Sequence, residues 1–372
     1  MFDTIFPDQE VGQREEAPQQ PQGGGYIAPE DIPMRSPYYN DTPKPMTLLP
    51  HQEQMWDVLD EFEEGAWSDQ NVGIKTGWKD FDKALDGGFR TGWVILGGSS
   101  NAGKTSFLSL MGWNIAHSNP DVFVLDFSLD DPMKDKIPRV VASANKVLIN
   151  AVRMPKSFEQ YPDMLKRRKE GIDKLRKAVD KYQAYDANHG TDIDEIERTV
   201  QNMIVSLEEE AVRTGKPRKR LVVMIDNFHD LTTTNAQAMG SDKMKYDYLA
   251  QRCSDMATLL DIVLISTGEF KKLNGFRRAS VEDLRESIKI VYEAKLILIC
   301  HNEVGLKGES ASIYYDRAGM HAKQPVFEVS FSKNKMSSFK GRLFYEFYPE
   351  IAYFEEADQA ASSKYRNLVF SN

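Results

Sequence analysis

The chain has 372 residues, 41% of them hydrophobic, with a net charge of −9 and two cysteines. That length fills one large or two ordinary domains with an apolar core, and no apolar run reaches the roughly 20 residues of a bilayer span. The start, Met1-Phe2-Asp3-Thr4, lacks the basic and long apolar stretches of a secretory signal, so a cytoplasmic protein without membrane contact is expected. Cys253 and Cys300 have no partner spacing, which excludes a zinc ribbon. The acidic balance excludes a uniformly basic nucleic-acid coat but leaves room for a local basic channel.

Residues 1–48 carry eight of the 17 prolines and Gly23-Gly24-Gly25, and predict a disordered arm. Its only apolar cluster, Phe2, Ile5 and Phe6, is read as an unremarkable start in preference to a docking peptide. In His51–Glu64, Met55, Leu59 and Phe62 fall at helical spacing among acids, which predicts a short amphipathic helix within a linker, residues 49–71.

From residue 72 to 357 apolar runs alternate with helical stretches: Trp93–Leu96, Val122–Leu125, Leu221–Ile225, Ile262–Ile265 and Leu296–Ile299, then Val326–Phe331 with period two. Such near-continuous runs separated by helices predict an α/β domain with a mostly parallel sheet covered on both faces. Ser157–Glu210 carries charges at helical spacing, and its Lys166-Arg167-Arg168-Lys169 reads as a solvated helix face. Residues 358–372 read as a C-terminal tail.

Between the first run and Phe107-Leu108-Ser109-Leu110-Met111 stands Gly98-Ser99-Ser100-Asn101-Ala102-Gly103-Lys104-Thr105, followed by Ser106, which fits the pattern G-x-x-x-x-G-K-[ST]. Glycines let backbone N–H groups wrap a β-phosphate, Lys104 adds a point charge, Thr105 offers magnesium a hydroxyl, and the following helix adds its positive end. ATP and magnesium are therefore expected. Asp226 closes the run Leu221–Ile225, the place of an acid that supports magnesium at a strand's end. Asp130, in Phe127-Ser128-Leu129-Asp130, is either the carboxylate that polarises water or a helix-capping acid before Pro132.

Gly73-Ile74-Lys75-Thr76-Gly77, Phe81-Asp82, Gly87-Gly88, the phosphate loop, Phe127–Asp130, Ile225-Asp226-Asn227-Phe228-His229 and Asp283-Leu284-Arg285-Glu286-Ser287 together resemble the ordered motifs of DnaB-type replicative helicases, particularly those of bacteriophages. The resemblance spans about residues 72 to 355. It implies a RecA-like P-loop ATPase that assembles as a homo-hexamer around single-stranded DNA, with nucleotide between subunits, and that meets a primase, a loader or other replisome proteins, in the host cytoplasm if phage-encoded.

Carried onto this chain, it makes Asp130 the water-activating acid, one methylene shorter than the family's glutamate. His229 takes the place of a glutamine that senses γ-phosphate. Lys333 and Lys335, in Ser332-Lys333-Asn334-Lys335, take the place of a Lys-x-Arg finger reaching the neighbour's phosphates. Lysine supplies charge there without arginine's planar fork. For DNA it suggests loops facing the channel: the polar Thr232–Lys245, with Lys243 and Lys245, and Lys271-Lys272-Leu273-Asn274-Gly275-Phe276-Arg277-Arg278, whose four cations are the stronger candidate. The family's helical N-terminal domain has no counterpart; a helix placed like His51–Glu64 docks on the adjacent subunit in the family. Two alternatives stay open: a RecA-like recombination ATPase, and a non-catalytic ATP-binding ring or loader subunit.

Overall fold

The computed structural model describes residues 59–67, 72–236, 238–270, 277–284 and 288–371. The arm 1–48 and most of the helix expected at His51–Glu64 lie outside them. The chain divides into two units at residue 66, and of the first only α1 (Leu59–Ala66) is described, with Leu59 and Phe62 exposed.

Among the described residues the second unit is built on ten strands: β1 Gly92–Gly98, β2 Val122–Ser128, β3 Tyr182–Asp186, β4 Arg220–Asp226, β5 Val263–Glu269, β6 Leu296–Asn302, β7 Tyr314–Tyr315, β8 Gln324–Asn334, β9 Arg342–Tyr348 and β10 Tyr353–Glu356. Their order is β10-β9-β8-β6-β1-β5-β4-β2-β3, with β7 paired to β8. Every pair from β6 to β3 along this path is parallel, whereas β8, β9 and β10 add an antiparallel meander at one edge. The helices are α2 Lys79–Ala84, α3 Lys104–Ser118, α4 Met133–Asn145, α5 Ile149–Arg153, α6 Pro162–Lys177, α7 Ile193–Thr214, α8 Asp242–Leu259, α9 Ile288–Glu293, α10 Glu303–Lys307 and α11 Gln359–Ser371.

Alternation along each central strand splits the core into two layers. Val94 and Leu96 of β1 and Val222 and Met224 of β4 face α2, α3 and α4, while Trp93, Ile95, Val223 and Ile225 face α7, α8 and α9. Both faces are covered, which is why these strands read as unbroken apolar runs. Phe107, on the first turn of α3, stacks on Trp78 with ring centroids 4.6 Å apart and meets Phe327 at 4.8 Å and Phe354 at 5.1 Å. This aromatic cluster fixes the start of α3, and hence the loop before it, against the meander edge.

Two stretches differ from the sequence expectation. The span Ser157–Glu210 is not wholly helical: it contains β3 between α6 and α7. β3 is a short, half-buried edge strand of mixed polarity, Tyr182-Gln183-Ala184-Tyr185-Asp186, without an apolar run to announce it. Much of the expected tail forms α11, Gln359–Ser371, whose Tyr365 and Val369 bury against Ile313, Val326 and Phe344.

Candidate nucleotide site

The sheet register brings the candidate residues together. Gly98 at the end of β1 pairs with Glu269 of β5 and Cys300 of β6, and Ser128 of β2 pairs with Asp226 of β4. All lie at the carboxyl ends of parallel strands, where open α/β sheets bind ligands. Gly73 and Gly88 hold the entry to β1: a Cβ on Gly88 would lie 2.3 Å from the Ile74 carbonyl oxygen, so only glycine lets the two segments pair.

The phosphate loop turns into α3 through Gly103, whose φ of 105° favours glycine. Lys104 donates to the carbonyls of Gly98 and Ser99, each at 3.0 Å, and burial pushes its ammonium below the usual lysine range, against the pull of Glu269, Asp226 and Asp130. The ammonium is thus held over the loop where a phosphate would replace two carbonyls as its partner. Thr105 and Ser106 follow in the first turn of α3, among the amides that the helix start leaves open.

Asp226 is buried. Its Oδ1 accepts from Thr267 Oγ at 2.5 Å, while Oδ2 has no hydrogen-bond partner. A buried, unpartnered carboxylate oxygen is costly unless a cation or its water satisfies it, so the donor set fits magnesium, which takes few protein ligands beside phosphate oxygens. The Asp226 carbonyl also accepts from the amides of Leu129 at 2.5 Å and Asp130 at 3.1 Å, tying the β2 exit loop to the β4 end.

Asp130 does not cap α4: the cap position is Pro132, and the Met133 amide donates to Asp186 Oδ2 at 3.1 Å. Its carboxyl sits above the ordinary aspartate range through partial burial and the neighbouring charges of Asp131, Asp226 and Glu269. Behind it, Lys136 of α4 donates to Asp126 of β2 at 2.7 Å, and Tyr182 donates to the other oxygen of Asp126, all three side chains being buried. This clamp spans the loop that carries Asp130.

His229 links the loop after β4 to the end of β5. The Glu269 amide donates to its Nδ1 at 3.2 Å, and its ring lies 5.3 Å from that of Tyr246 on α8. Two acids at this end escape the motif reading. Glu269 closes β5 as Asp226 closes β4, so the same strand-end argument reaches it. Asp230 follows His229 and is pushed up to about 6 by burial and by Asp130, Glu269 and Asp226.

The lysine pair lies elsewhere. Asn334, between Lys333 and Lys335, pairs with Leu296 at the start of β6, four residues below Cys300 beside the phosphate loop. That is about 13 Å along the strand. Lys335 is exposed, whereas Lys333 donates to the carbonyls of Val291 at 2.5 Å and Tyr292 at 2.8 Å.

Of the cations proposed for DNA, Lys271 and Lys272 lie outside the described residues. Arg277 makes a two-pronged contact with Asp283, and Arg278 donates to Glu328 at 3.1 Å beside Arg342 on the same buried carboxylate. Lys243 and Lys245 stand on the first turn of α8 after the Ser241 cap, with Lys245 over the Tyr246 ring at 5.2 Å. Among the described residues no helix is long and apolar enough to cross a membrane.

Comparison with known proteins bears on this arrangement. Residues 73–356 match the family model for the DnaB-like helicase C terminal domain. Among solved structures, one of an ATPase domain superposes with a TM-score of 0.66 at 20% identity, covering 81% of this chain and 97% of that one. A DnaB-like replicative helicase, reported with its interactions with primase, superposes with a TM-score of 0.67 at 20% identity, covering 82% and 69% respectively. These likenesses establish the fold, a RecA-like α/β domain. No curated protein sequence matches the chain.

Proposed function

The chain belongs to the DnaB-like helicase C-terminal domain family, and on that premise we propose that it is the ATP-driven motor of a homo-hexameric replicative helicase that translocates on single-stranded DNA and unwinds duplex. The observation that carries this reading is the separation of the two halves of a nucleotide site. The phosphate loop, Asp130 and Asp226 gather at the carboxyl ends of the strands, while exposed Lys335 stands about 13 Å away along β6. On this reading Lys335 is too far from its own chain's phosphate loop to serve it and is offered to a neighbour, as a ring requires.

Bound ATP and magnesium supply the phosphoryl group and neutralise its charge. The loop amides and Lys104 would hold the phosphates; Thr105 and Asp226 would hold the metal; Asp130 would orient the attacking water and take its proton; Lys335 would stabilise charge from the adjacent subunit. His229, bonded to the Glu269 amide and packed on Tyr246, supports a connection from the nucleotide to both candidate DNA loops, Thr232–Lys245 and 271–278. In this reading residues 49–71 dock on the neighbouring subunit, residues 72–357 form the motor, and α11 completes its meander edge. Primase, a loader or other replisome proteins are its expected partners.

Steady-state ATPase with and without an oligonucleotide, followed by strand displacement on a forked duplex, tests the proposal. DNA-stimulated turnover and strand separation are expected. The shorter acid at Asp130 favours a second reading, an ATP-binding ring or loader subunit, which tight nucleotide binding without turnover would establish instead.

A further inference from the structure

The resemblance makes Lys333 and Lys335 a pair of cations for the neighbour's phosphates, but the two side chains are in different situations. Lys333 is half-buried, and its ammonium is committed to the last carbonyls of α9, Val291 O at 2.5 Å and Tyr292 O at 2.8 Å. Carbonyls at a helix C-terminus have no partner within the helix and carry its negative dipole end, so a lysine there satisfies both hydrogen bonding and charge. The Lys335 amide donates to Lys295 O at 2.9 Å, and Lys295 in turn donates through Nζ to Thr91 O at 2.9 Å, ahead of β1. The segment 291–295 therefore holds the end of β8 by a side chain and a main-chain bond, and leaves the Lys335 side chain exposed.

Resting on the motor reading above, we infer that Lys333 is a positioning residue and that Lys335 is the sole cation this segment offers to a neighbouring subunit. Lys333 struts α9 to the end of β8 and so sets where Lys335 stands. Three further observations agree. Burial and the nearby Lys335 charge push the Lys333 ammonium down to about 8, the cost of holding it in this place. Moving it to a neighbour's phosphate would strip two carbonyls of their donor. And α9 follows in the chain the segment 277–284, which carries Arg277 and Arg278 of the basic loop, so the strut stands close in sequence to that loop.

The test compares full-length Lys333→Met, Lys333→Arg and Lys335→Met by amide hydrogen exchange of the peptide Ile288–Lys295 and by ATPase kinetics. Losing a donor to two helix-end carbonyls should speed exchange of α9 on the order of tenfold in Lys333→Met, with recovery in Lys333→Arg and no change in Lys335→Met. Turnover should fall on the order of 100-fold in Lys335→Met but less than about tenfold in Lys333→Met, with KM for ATP unchanged in both. Unchanged α9 exchange in Lys333→Met, or turnover lost as deeply as in Lys335→Met, overturns the assignment. Lys333→Gln, which keeps a shorter donor, replaces Lys333→Met if that variant does not fold. A wild-type protein without ATPase activity sinks the motor reading instead, and the exchange comparison then decides the role of Lys333 alone.

Discussion

In the proposed nucleotide site, single carboxylates around the half-buried Lys104 divide the work. Lys104→Ala should abolish hydrolysis, whereas Asp130→Asn should leave nucleotide affinity nearly intact and cut turnover on the order of 100-fold or more, because only the water-orienting group is lost. Full turnover in Asp130→Asn would move that role to Glu269 or Asp230. Asp230 itself gives a signed prediction. Its carboxyl titrates near 6 in the folded protein against 3.8 as the ordinary value, first through burial and then through Asp130, Glu269 and Asp226. The folded state therefore keeps a proton that the unfolded chain has already released, so stability from this group is present at low pH and is lost as pH rises from about 4 through 6. Asp230→Asn should raise Tm at pH 7.5 and leave it unchanged near pH 3.5, a difference that thermal denaturation at the two pH values reads directly; equal shifts at both would assign the effect to packing. The coupling is mutual, so the same variant should move the acid limb of the ATPase profile to lower pH by relieving Asp130.

Among strands, helices and loops, legibility in the sequence follows the physics of burial. The central strands are visible because both faces are covered and no alternation interrupts them, and the phosphate loop because its glycines and lysine have few other uses. β3 escapes since an edge strand with Gln183 and Tyr185 half exposed has the composition of its helical neighbours, and β9 and β10 because their apolar residues alternate weakly within a charged segment. The basic loop is legible in composition but not in pairing: sequence shows Arg277 and Arg278 side by side, and only the fold shows Arg278 on the buried Glu328 and Arg277 on Asp283. If this loop meets DNA phosphates as proposed, Arg277 is the better placed of the two, since its side chain is exposed whereas Arg278 rests on the enclosed Glu328. Arg277→Ala should flatten the salt dependence of single-stranded DNA binding by up to about 0.7 logarithmic units while stability holds. Arg278→Ala should lower Tm, as a buried carboxylate loses one of its two partners. Titrations of a labelled oligonucleotide across salt concentrations, beside melting curves, separate the two; an unchanged slope in Arg277→Ala shifts the contact to Lys243 and Lys245. The Lys136–Asp126 clamp is the other device invisible in sequence, and Lys136→Met, which leaves Asp126 charged and buried beside Tyr182, should cost about 3–5 kcal/mol in denaturant unfolding.

In the proposed ring, what matters most is that one chain carries a phosphate loop and an exposed lysine at opposite ends of β6, so the unit of chemistry would be an interface. Lys335→Ala subunits keep a sound phosphate loop and lack the finger; Lys104→Ala subunits keep the finger and lack the loop. Each variant alone should be inactive, because every interface it forms repeats the same defect. In an equal random mixture about one interface in four joins a sound loop to a sound finger, so ATPase should return toward a quarter of the wild-type rate. Native mass spectrometry of mixed rings confirms that subunits have exchanged before activity is read. If mixed rings form and stay inactive, Lys335 serves a purpose other than the neighbour's nucleotide, and the β6 separation is a feature of the fold without a catalytic meaning. If activity returns, the same experiment with Lys333→Met in place of Lys335→Ala should start from substantial activity of its own, since a misplaced finger still reaches some of its neighbours' phosphates where an absent one reaches none.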